Sequence, residues 1–202
     1  EIQMLAEPRA GAGRWIIAQR PSMRRGKSAA SLSSGGIMGP AWDLHTHSFL
    51  LEEELKAAFE ICHRREFRVM AHATNPEAVK NAIRLGAHSI EHGYILDDEC
   101  IEKLVAAGTF VLPSLYLPLK ILELMGDAPG TNTMGFNTET GNDFGAMCEV
   151  LGRAAAAGVK LCVGDDFGAT FTPHGSYAKE LAVYTAHAGI EPIEVLRWAT
   201  RN

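Results

Sequence analysis

The sequence predicts an α/β fold with a parallel sheet, and three observations support this prediction. From about residue 50 onward, strand-like apolar runs alternate with amphipathic helical segments at intervals of about 20 residues. Glycines and an Asn-Pro pair stand where these helices should end or begin. Polar residues of catalytic type follow the strand-like runs, and the carboxyl ends of parallel strands are where such sheets carry their chemistry.

The composition excludes several classes of protein. The chain has 202 residues, 47% hydrophobic and 21% charged, which is globular rather than disordered. Its 19 basic and 24 acidic residues give a net charge of −5, which argues against a nucleic-acid partner. No apolar run approaches the roughly 20 residues that span a bilayer, so we expect no membrane partner. The four cysteines are irregularly spaced without a C-x-x-C pair, and a cytoplasmic, reducing location fits best.

Residues 1–33 form an irregular basic segment, distinct from the fold predicted for 34–202. From Pro8 to Trp42 there are six basic residues and no acidic one, so the remainder has 13 basic and 24 acidic residues, a balance of −11. Three interpretations stay open: a surface-exposed basic arm, an organelle transit peptide, or sequence foreign to the fold, such as translation in a wrong frame. The start at Glu1 rather than Met weakens the second, and we rank the third slightly ahead of the first.

The predicted elements follow in a regular order. The helix over 51–65 has acids in its first turn and bases in its last, which suits the helix dipole. A strand over 67–73 precedes a helix that begins at Asn75-Pro76 and ends at Gly86. The later elements are a strand at 89–93, a helix at 97–107, a strand at 109–113, a helix at 115–125, a loop through Gly141, a helix at 143–157, a strand at 159–164, and helices at about 176–188 and 191–201.

Three strand-end side chains form a candidate metal site. His72 ends VMAHA, His92 ends SIEHG, and Asp165-Asp166 ends LCVGDD. The histidines lie one βα repeat apart, and neighbouring strands are about 4.8 Å apart, so two inward imidazoles can converge on one ion. A later carboxylate completes a set that suits zinc or another divalent transition metal. A lone strand-end histidine is more often a hydrogen-bonded core or loop residue, but this combination favours a metal site.

The stretch VMAHATNPEAVKNAIRLGAHSIEHG and the later AGVKLCVGDDFG resemble the amidohydrolase superfamily, closest to its prolidase-like and imidazolonepropionase-like hydrolases. The motifs A-H-A, S-I-E-H-G and G-x-D-x-G occur in order, and the resemblance covers about residue 34 to the end. It implies part of a (β/α)8 TIM barrel, roughly its fourth to eighth strands. It also implies one or two divalent ions, with Zn²⁺ favoured, and His72 and His92 as ligands. Asp166, not Asp165, would bind metal and act as general base toward the attacking water.

Two features of that superfamily lack clear counterparts. His45-Thr46-His47 has the letters of the first-strand H-x-H pair, but only the 51–65 helix separates it from the His72 strand. We therefore interpret it as a loop tripeptide near the mouth of the site, with His45 and His47 as candidate extra ligands. The bridging-lysine position falls near Ala30. Lys27 lies three residues too early, and that offset turns a side chain to the opposite face of a strand.

Several other residues have two open interpretations. His174 follows the last strand and either contributes to substrate binding or is a plain loop residue. Tyr116 either contacts substrate or packs, and packing suits its position better. Asp165 either hydrogen-bonds beside the metal or caps the turn. Strand alternation points Glu91 outward, into a structural salt bridge.

We expect a metal-dependent hydrolase of a C–N bond in a dipeptide, an N-acyl amino acid or a cyclic amide. A deaminase on the same scaffold and a non-catalytic fragment or binding protein stay open as alternatives. The first three barrel strands are missing from this interpretation, so apolar edges and faces should be exposed. Such a chain should be poorly soluble and catalytically weak or inactive unless it associates with another chain, as in a homo-oligomer.

Overall fold

A computed structural model describes the backbone of residues 2–4, 16–19 and 27–32, and the chain over 34–36, 44–125, 139–168 and 171–202. Within these ranges seven strands form one sheet in chain order. They are β1 (Ile2–Met4), β2 (Ile16–Gln19), β3 (Lys27–Leu32), β4 (Phe67–Ala73), β5 (Ser89–His92), β6 (Phe110–Leu112) and β7 (Lys160–Leu161).

The sheet is parallel from β3 to β7, which confirms the predicted α/β class. Each of the four pairings β3–β4, β4–β5, β5–β6 and β6–β7 is parallel. The strand β1 pairs antiparallel with β2, and β2 pairs antiparallel with β3. The carboxyl ends of β3 to β7 therefore lie at one edge of the sheet, where the candidate site residues follow.

Seven helices accompany the strands in the described part of the chain. Those between parallel strands make the crossovers that such a sheet requires. The helices α1 and α2 pack on β4, α2 on α3, α4 on α5, and α6 on α7. Their bounds are α1 (Glu52–Arg64), α2 (Pro76–Arg84), α3 (Asp98–Ala107), α4 (Tyr116–Met125), α5 (Glu139–Ala156), α6 (Tyr177–Ala186) and α7 (Pro192–Thr200).

Local sequence signals explain where α2 and α3 begin and end. The Asn75 side chain accepts a hydrogen bond from the Ala78 amide at 3.0 Å, and Asp97 accepts one from the Cys100 amide at 2.8 Å. Each bond satisfies an amide that the first helical turn leaves without an intrahelical acceptor. Gly108 ends α3 with φ 63, a left-handed conformation that glycine adopts at little steric cost.

The core lies between the sheet and the helices. In β4 the side chains of Val69, Ala71 and Ala73 are buried, and the intervening ones are more exposed, so one face of the strand meets the helices. The same cluster takes up residues from the helices and the later strands. Its largest fully buried members include Leu55, Phe59, Ile90, Leu104, Leu161 and Tyr184.

From residue 51 onward the predicted elements are confirmed, with shifted bounds. The last strand is shorter than predicted, Lys160–Leu161 rather than 159–164, and α5 begins earlier, at Glu139. Residues 126–138 of the predicted loop lie outside the described residues.

Residues 1–33 contain three strands that the apolar pattern did not predict. The strands β1, β2 and β3 all lie in this segment, so it has regular backbone pairing. Backbone pairing needs no apolar periodicity, which explains why the pattern missed it. In β3, Ala30 lies beside Met70, while Lys27 lies beside Phe67 at the far end from the site. The division between 1–33 and 34–202 stays a prediction.

Among the described helices, none combines the length and the apolar character needed to cross a membrane.

Candidate metal site

The parallel register brings His72 and His92 together at the carboxyl edge of the sheet. The centroids of the two imidazole rings lie 4.6 Å apart, and the rings are inclined by 71°. His92 is buried, with 8% of its surface exposed, and His72 is half-buried. Two adjacent strand ends thus bring two imidazole rings into one small volume, and metal binding by these rings stays a prediction.

Alternation alone would have kept these two histidines apart. His72 lies beside Glu91 in the register, and His92 lies beside Ala73, which belongs to the buried, helix-covered face. His92 has φ 76, a left-handed conformation that ends the alternation at this residue. Its ring reaches His72 although its strand position belongs to the other face.

The prediction that Glu91 points outward into a salt bridge is wrong. Glu91 shares a register position, and hence a sheet face, with His72. Its Oε1 accepts a hydrogen bond of 2.6 Å from the Ser89 hydroxyl, two residues earlier on the same face. Burial raises the pKa of the Glu91 carboxyl, the Ser89 hydrogen bond lowers it, and the Asp166 charge raises it. The left-handed turn at His92 is the reason that the residue next to a predicted ligand also lies on the site's face.

The hydrogen bonds of the two imidazoles fix which nitrogen faces which group. His92 Nδ1 lies 3.2 Å from the Tyr94 hydroxyl, and its Nε2 lies 3.9 Å from Asp166 Oδ2. His72 Nε2 lies 3.0 Å from the Gly35 carbonyl oxygen, which only accepts, so Nε2 carries the proton in neutral His72. Burial, and to a smaller extent the charge of His72, lowers the pKa of His92 well below its ordinary value and keeps the ring neutral.

The side chains of the adjacent residues Asp165 and Asp166 have different neighbours. Asp166 has 63% of its side chain exposed and faces His92. Asp165 accepts a hydrogen bond of 2.8 Å from the Asp166 amide and interacts with Glu180, and burial is the main cause that raises its pKa to about 6. For Asp166, burial raises the carboxyl pKa and the His72 charge opposes that rise. Of the two aspartates, Asp166 is thus the one that faces His92, and its role as the carboxylate of the site stays a prediction.

Glu180 is a buried carboxyl that the sequence analysis did not single out. It is 0% exposed, and its two oxygens accept hydrogen bonds from the backbone amides of Leu115 at 2.9 Å and Tyr116 at 2.6 Å. Burial, followed by the charge of Asp165, raises its pKa to about 8. Glu180 therefore joins α6 to the start of α4 behind the Asp165-Asp166 segment. Its sequence signal is an acidic residue inside an otherwise apolar helix face.

The donor chemistry of His72, His92 and Asp166 fits a divalent metal ion. Two neutral imidazoles and a carboxylate are ligands that zinc and similar ions accept. The 3.9 Å between His92 Nε2 and Asp166 Oδ2 exceeds hydrogen-bond distance and leaves room for an ion with bonds of about 2.0–2.2 Å. In the described ranges, no three His, Cys, Asp or Glu side chains converge as a formed metal cluster does. The three side chains thus match a divalent ion in the type of their donor atoms and in being close together.

The candidate extra ligands His45 and His47 occupy different surroundings. His45 is fully buried, and its Nε2 lies 3.2 Å from Asp143 Oδ2 on α5. Its ring meets the Tyr94 ring edge-on at 6.5 Å, and its carbonyl accepts a hydrogen bond from the Thr74 hydroxyl. His47 is exposed and packs edge-on against Phe49 at 6.3 Å. Through these contacts the loop that carries both histidines packs against the strand ends. Metal binding by either histidine stays a prediction.

The two candidate substrate-binding residues differ in accessibility. His174 is exposed, and its Nδ1 lies 3.2 Å from the Tyr177 hydroxyl. Its Nε2 comes so near Gly168, two residues beyond Asp166, that a Cβ there would lie only 2.9 Å away. Tyr116 is 3% exposed, and the ammonium groups of Lys120 and Lys179 lie 5.5 and 5.8 Å from its ring centre. Tyr116 is thus buried in the packing of the chain, whereas His174 is accessible to solvent.

Known proteins match the sequence of this chain over most of its length. It is 30% identical over 176 residues to an uncharacterized protein of Mycobacterium tuberculosis, covering 82% of this chain and 44% of that protein. It is 28% identical over 187 residues to the ochratoxinase of Aspergillus niger, covering 92% of this chain and 37% of the relative. The chain thus spans less than half the length of these relatives.

Solved structures show the same fold. The crystal structure of Aspergillus niger ochratoxinase matches with a TM-score of 0.69 and 25% identity, over 85% of this chain and 37% of that one. A putative prolidase from Bifidobacterium longum matches with a TM-score of 0.69 and 30% identity, over 85% and 42%. The parallel part of the sheet, from β3 to β7, is thus a portion of the TIM barrel found in such proteins. The model of the amidohydrolase family matches residues 17–202, and this chain belongs to that family.

Proposed function

We propose that this chain carries the metal-binding and general-base residues of a hydrolase that cleaves the C–N bond of a small amide or dipeptide. The observation that supports it is the meeting of His72, His92 and Asp166, with 4.6 Å between the imidazole centres and 3.9 Å from His92 Nε2 to Asp166 Oδ2. Family membership supports a hydrolase in general terms. The dipeptide substrate, the metal and the role of each residue are proposals.

In this proposal His72, His92 and Asp166 hold one divalent ion, and zinc is favoured. A second ion would need further ligands. His72 would bind the ion through Nδ1, because its Nε2–H donates a hydrogen bond to the Gly35 carbonyl oxygen. His92 would offer Nε2, the nitrogen that faces Asp166. A bound divalent ion lowers the pKa of a coordinated water toward neutrality and polarises a carbonyl.

Asp166 is the proposed general base. Its Oδ2 would take a proton from the attacking water and later deliver it to the leaving nitrogen. Burial raises the pKa of this carboxyl from its ordinary value, although the His72 charge opposes the rise. A raised pKa makes the carboxylate a better proton acceptor. With 63% of its side chain exposed, Asp166 is also open to water and substrate.

The relatives favour amide hydrolysis over deamination for the substrate class. A putative prolidase and an ochratoxinase match in structure at 30% and 25% identity. A Xaa-Pro dipeptidase matches at 23% identity, which supports the fold alone. His174, an exposed residue of the loop between β7 and α6, is the residue that we assign to substrate selection. A dipeptide or N-acyl amino acid is therefore the first substrate class to test, with ammonia release as the reporter of the deaminase alternative.

Metal analysis tests the site directly. Purified chain loaded with Zn²⁺ and dialysed should retain the metal, and both His72→Ala and His92→Ala should weaken retention by more than about tenfold. His187→Ala removes an exposed histidine at the end of α6 and serves as the matched control. Zinc content that is nil, or that is equal in all four proteins, would contradict the proposal.

Activity is measured on the same proteins. We expect release of free amino acid from Xaa-Pro dipeptides or N-acyl amino acids by zinc-loaded protein, and its loss in Asp166→Asn. Ammonia without amino-acid release would favour the deaminase, and the absence of both with intact zinc binding would favour a non-catalytic binding protein.

The four cysteines carry free thiols, which supports the proposed reducing, cytoplasmic location. Association into a homo-oligomer is likewise a proposal, checked by light scattering.

A further inference from the structure

We propose that Tyr94 is a positioning residue that holds His92 in the tautomer with its proton on Nδ1 and its lone pair on Nε2. The inference deepens the proposed function and rests on it for its meaning, because Nε2 is the nitrogen that faces Asp166. Neutral imidazole binds a metal only through the nitrogen that carries no proton. A group that fixes the tautomer therefore decides whether His92 can serve as a ligand.

The two partners of the Tyr94 hydroxyl fix the tautomer of His92. This oxygen lies 3.3 Å from the carbonyl oxygen of Ser114 and 3.2 Å from His92 Nδ1. A carbonyl oxygen has no proton to give, so the single Tyr94 proton must point to Ser114. The contact with His92 is then a hydrogen bond only if Nδ1–H donates to Tyr94. Both bonds are made together in one arrangement alone, and it leaves the lone pair of His92 on Nε2.

Packing keeps the Tyr94 hydroxyl in this place. Tyr94 is 3% exposed, its ring centre lies 5.1 Å from that of His92, and the buried His45 ring meets it edge-on at 6.5 Å. The side chain therefore cannot turn its hydroxyl to solvent without breaking the core around it.

Ser114 connects this arrangement to the segment that carries Asp166. Its carbonyl accepts from Tyr94, while its own hydroxyl lies 3.1 Å from the carbonyl oxygen of Gly164, two residues before Asp166. Ser114 has φ 54, a left-handed conformation at the end of β6. Ser114 thus links two segments: it contacts Tyr94, which contacts His92 at the end of β5, and it contacts the loop after β7. Tyr94 and Ser114 together set the position of His92 relative to Asp166.

The first test reads the tautomer in the metal-free full chain, without any activity. Nitrogen-15 NMR of the imidazoles distinguishes a protonated from an unprotonated ring nitrogen, and a His92→Gln sample assigns the His92 signals. We expect protonated Nδ1 in the wild type and a shift toward protonated Nε2 in Tyr94→Phe. The matched control is Tyr184→Phe, which also removes a fully buried tyrosine hydroxyl, one that interacts with Glu180.

The control separates positioning from general destabilisation. Both variants should lower the melting temperature, but only Tyr94→Phe should change the His92 tautomer. An unprotonated Nδ1 in the wild type, or an unchanged tautomer in Tyr94→Phe, would overturn the inference. If Tyr94→Phe fails to fold, Ser114→Ala is measured in its place. This variant removes the hydroxyl that lies 3.1 Å from the Gly164 carbonyl oxygen and 3.3 Å from the Leu112 carbonyl oxygen, and it keeps the Ser114 carbonyl that accepts from Tyr94. The His92 tautomer should therefore stay as in the wild type, and a change would contradict the assignment.

The second test measures Zn²⁺ affinity by competition with a chelator. Tyr94→Phe should bind Zn²⁺ about 10- to 100-fold more weakly than the wild type, and Tyr184→Phe within about threefold of it. If the wild type binds no zinc, the proposed function fails, and the tautomer experiment still decides the role of Tyr94. If zinc binds equally well to Tyr94→Phe, the positioning role is refuted while the metal site stands.

Discussion

His92 combines a strained backbone with a buried ring. A residue other than glycine at φ 76 costs about 1–3 kcal/mol, and such conformations persist where surrounding contacts hold them. Here the next amide, of Gly93, donates to the Ala73 carbonyl at 3.1 Å, and the ring contacts Tyr94 and His72. The left-handed backbone places the ring beside His72 instead of on the helix-covered face, which is the arrangement that the proposed function needs.

At the same scale, Glu180 should make stability depend on pH. Its pKa is raised to about 8 from an ordinary 4.5, so the native state keeps this proton to higher pH than the unfolded chain does. Its contribution to stability is therefore full below about pH 4.5 and is lost as the pH rises toward about 8. We expect the free energy of unfolding of the wild type to fall over that range relative to Glu180→Gln, which cannot lose a proton.

Urea denaturation at about pH 5, 6, 7 and 8 measures the difference between the two proteins. Glu149→Gln, at an exposed position of α5, is the matched control and should keep the pH dependence of the wild type. Stability curves for the wild type and Glu180→Gln that stay parallel over this range would show that the buried carboxyl does not titrate as described.

Among the elements, α2 is tied to the loop at His45 through its N-cap. Asn75 is 4% exposed, and its Oδ1 accepts hydrogen bonds from the Ala78 amide at 3.0 Å and the Ser48 hydroxyl at 3.1 Å. Its amide nitrogen lies 3.4 Å from the His45 carbonyl oxygen. One side chain thus begins a helix and holds the loop that covers the strand ends.

Asn75→Ala should lower the free energy of unfolding by about 1–2 kcal/mol, because the first turn of α2 loses its cap and buried groups lose their partners. Asn75→Asp keeps the acceptor and should lose less. Asn81→Ala, on the same helix but away from the cap, should stay within about 0.5 kcal/mol of the wild type. Chemical denaturation gives all three values, and an Asn75→Ala value equal to that of Asn81→Ala would rule out the cap.

At the scale of the whole molecule, an apolar cluster of described residues joins the helices to the sheet. The chain spans 37% to 44% of the length of its matched relatives, and the exposed apolar surface predicted for a partial barrel stays a prediction. Large apolar side chains that are at least half exposed include Leu51 at 67%, Ile193 at 56% and Leu196 at 51%. Whether such positions meet another chain is answered by the light-scattering experiment above.

Leu104→Ala tests whether that cluster holds the chain as one cooperative unit. Leu104 is 0% exposed in α3, so its truncation should cost about 2–5 kcal/mol through lost burial and the cavity left behind. Leu196→Ala, at a half-exposed position of α7, should cost less than about 1 kcal/mol. Fluorescence and circular dichroism should report the same lowered midpoint for Leu104→Ala. Midpoints that differ between the two probes would indicate separate units.

The sequence by itself determined the order of elements from residue 51, because helix caps such as Asn75 and Asp97 and the apolar periods act locally. It also placed His72 and His92 at the carboxyl ends of adjacent strands, since parallel strands end at one edge, although the register offsets them by one residue. Tertiary structure alone decided the direction of each side chain. The left-handed backbone of His92 reversed the expectation for Glu91, and Tyr94, Ser114 and Glu180 gained their roles through partners far away in the sequence. Hydrogen bonds between distant segments leave no periodic trace in a sequence, because they depend on how the strands and helices pack.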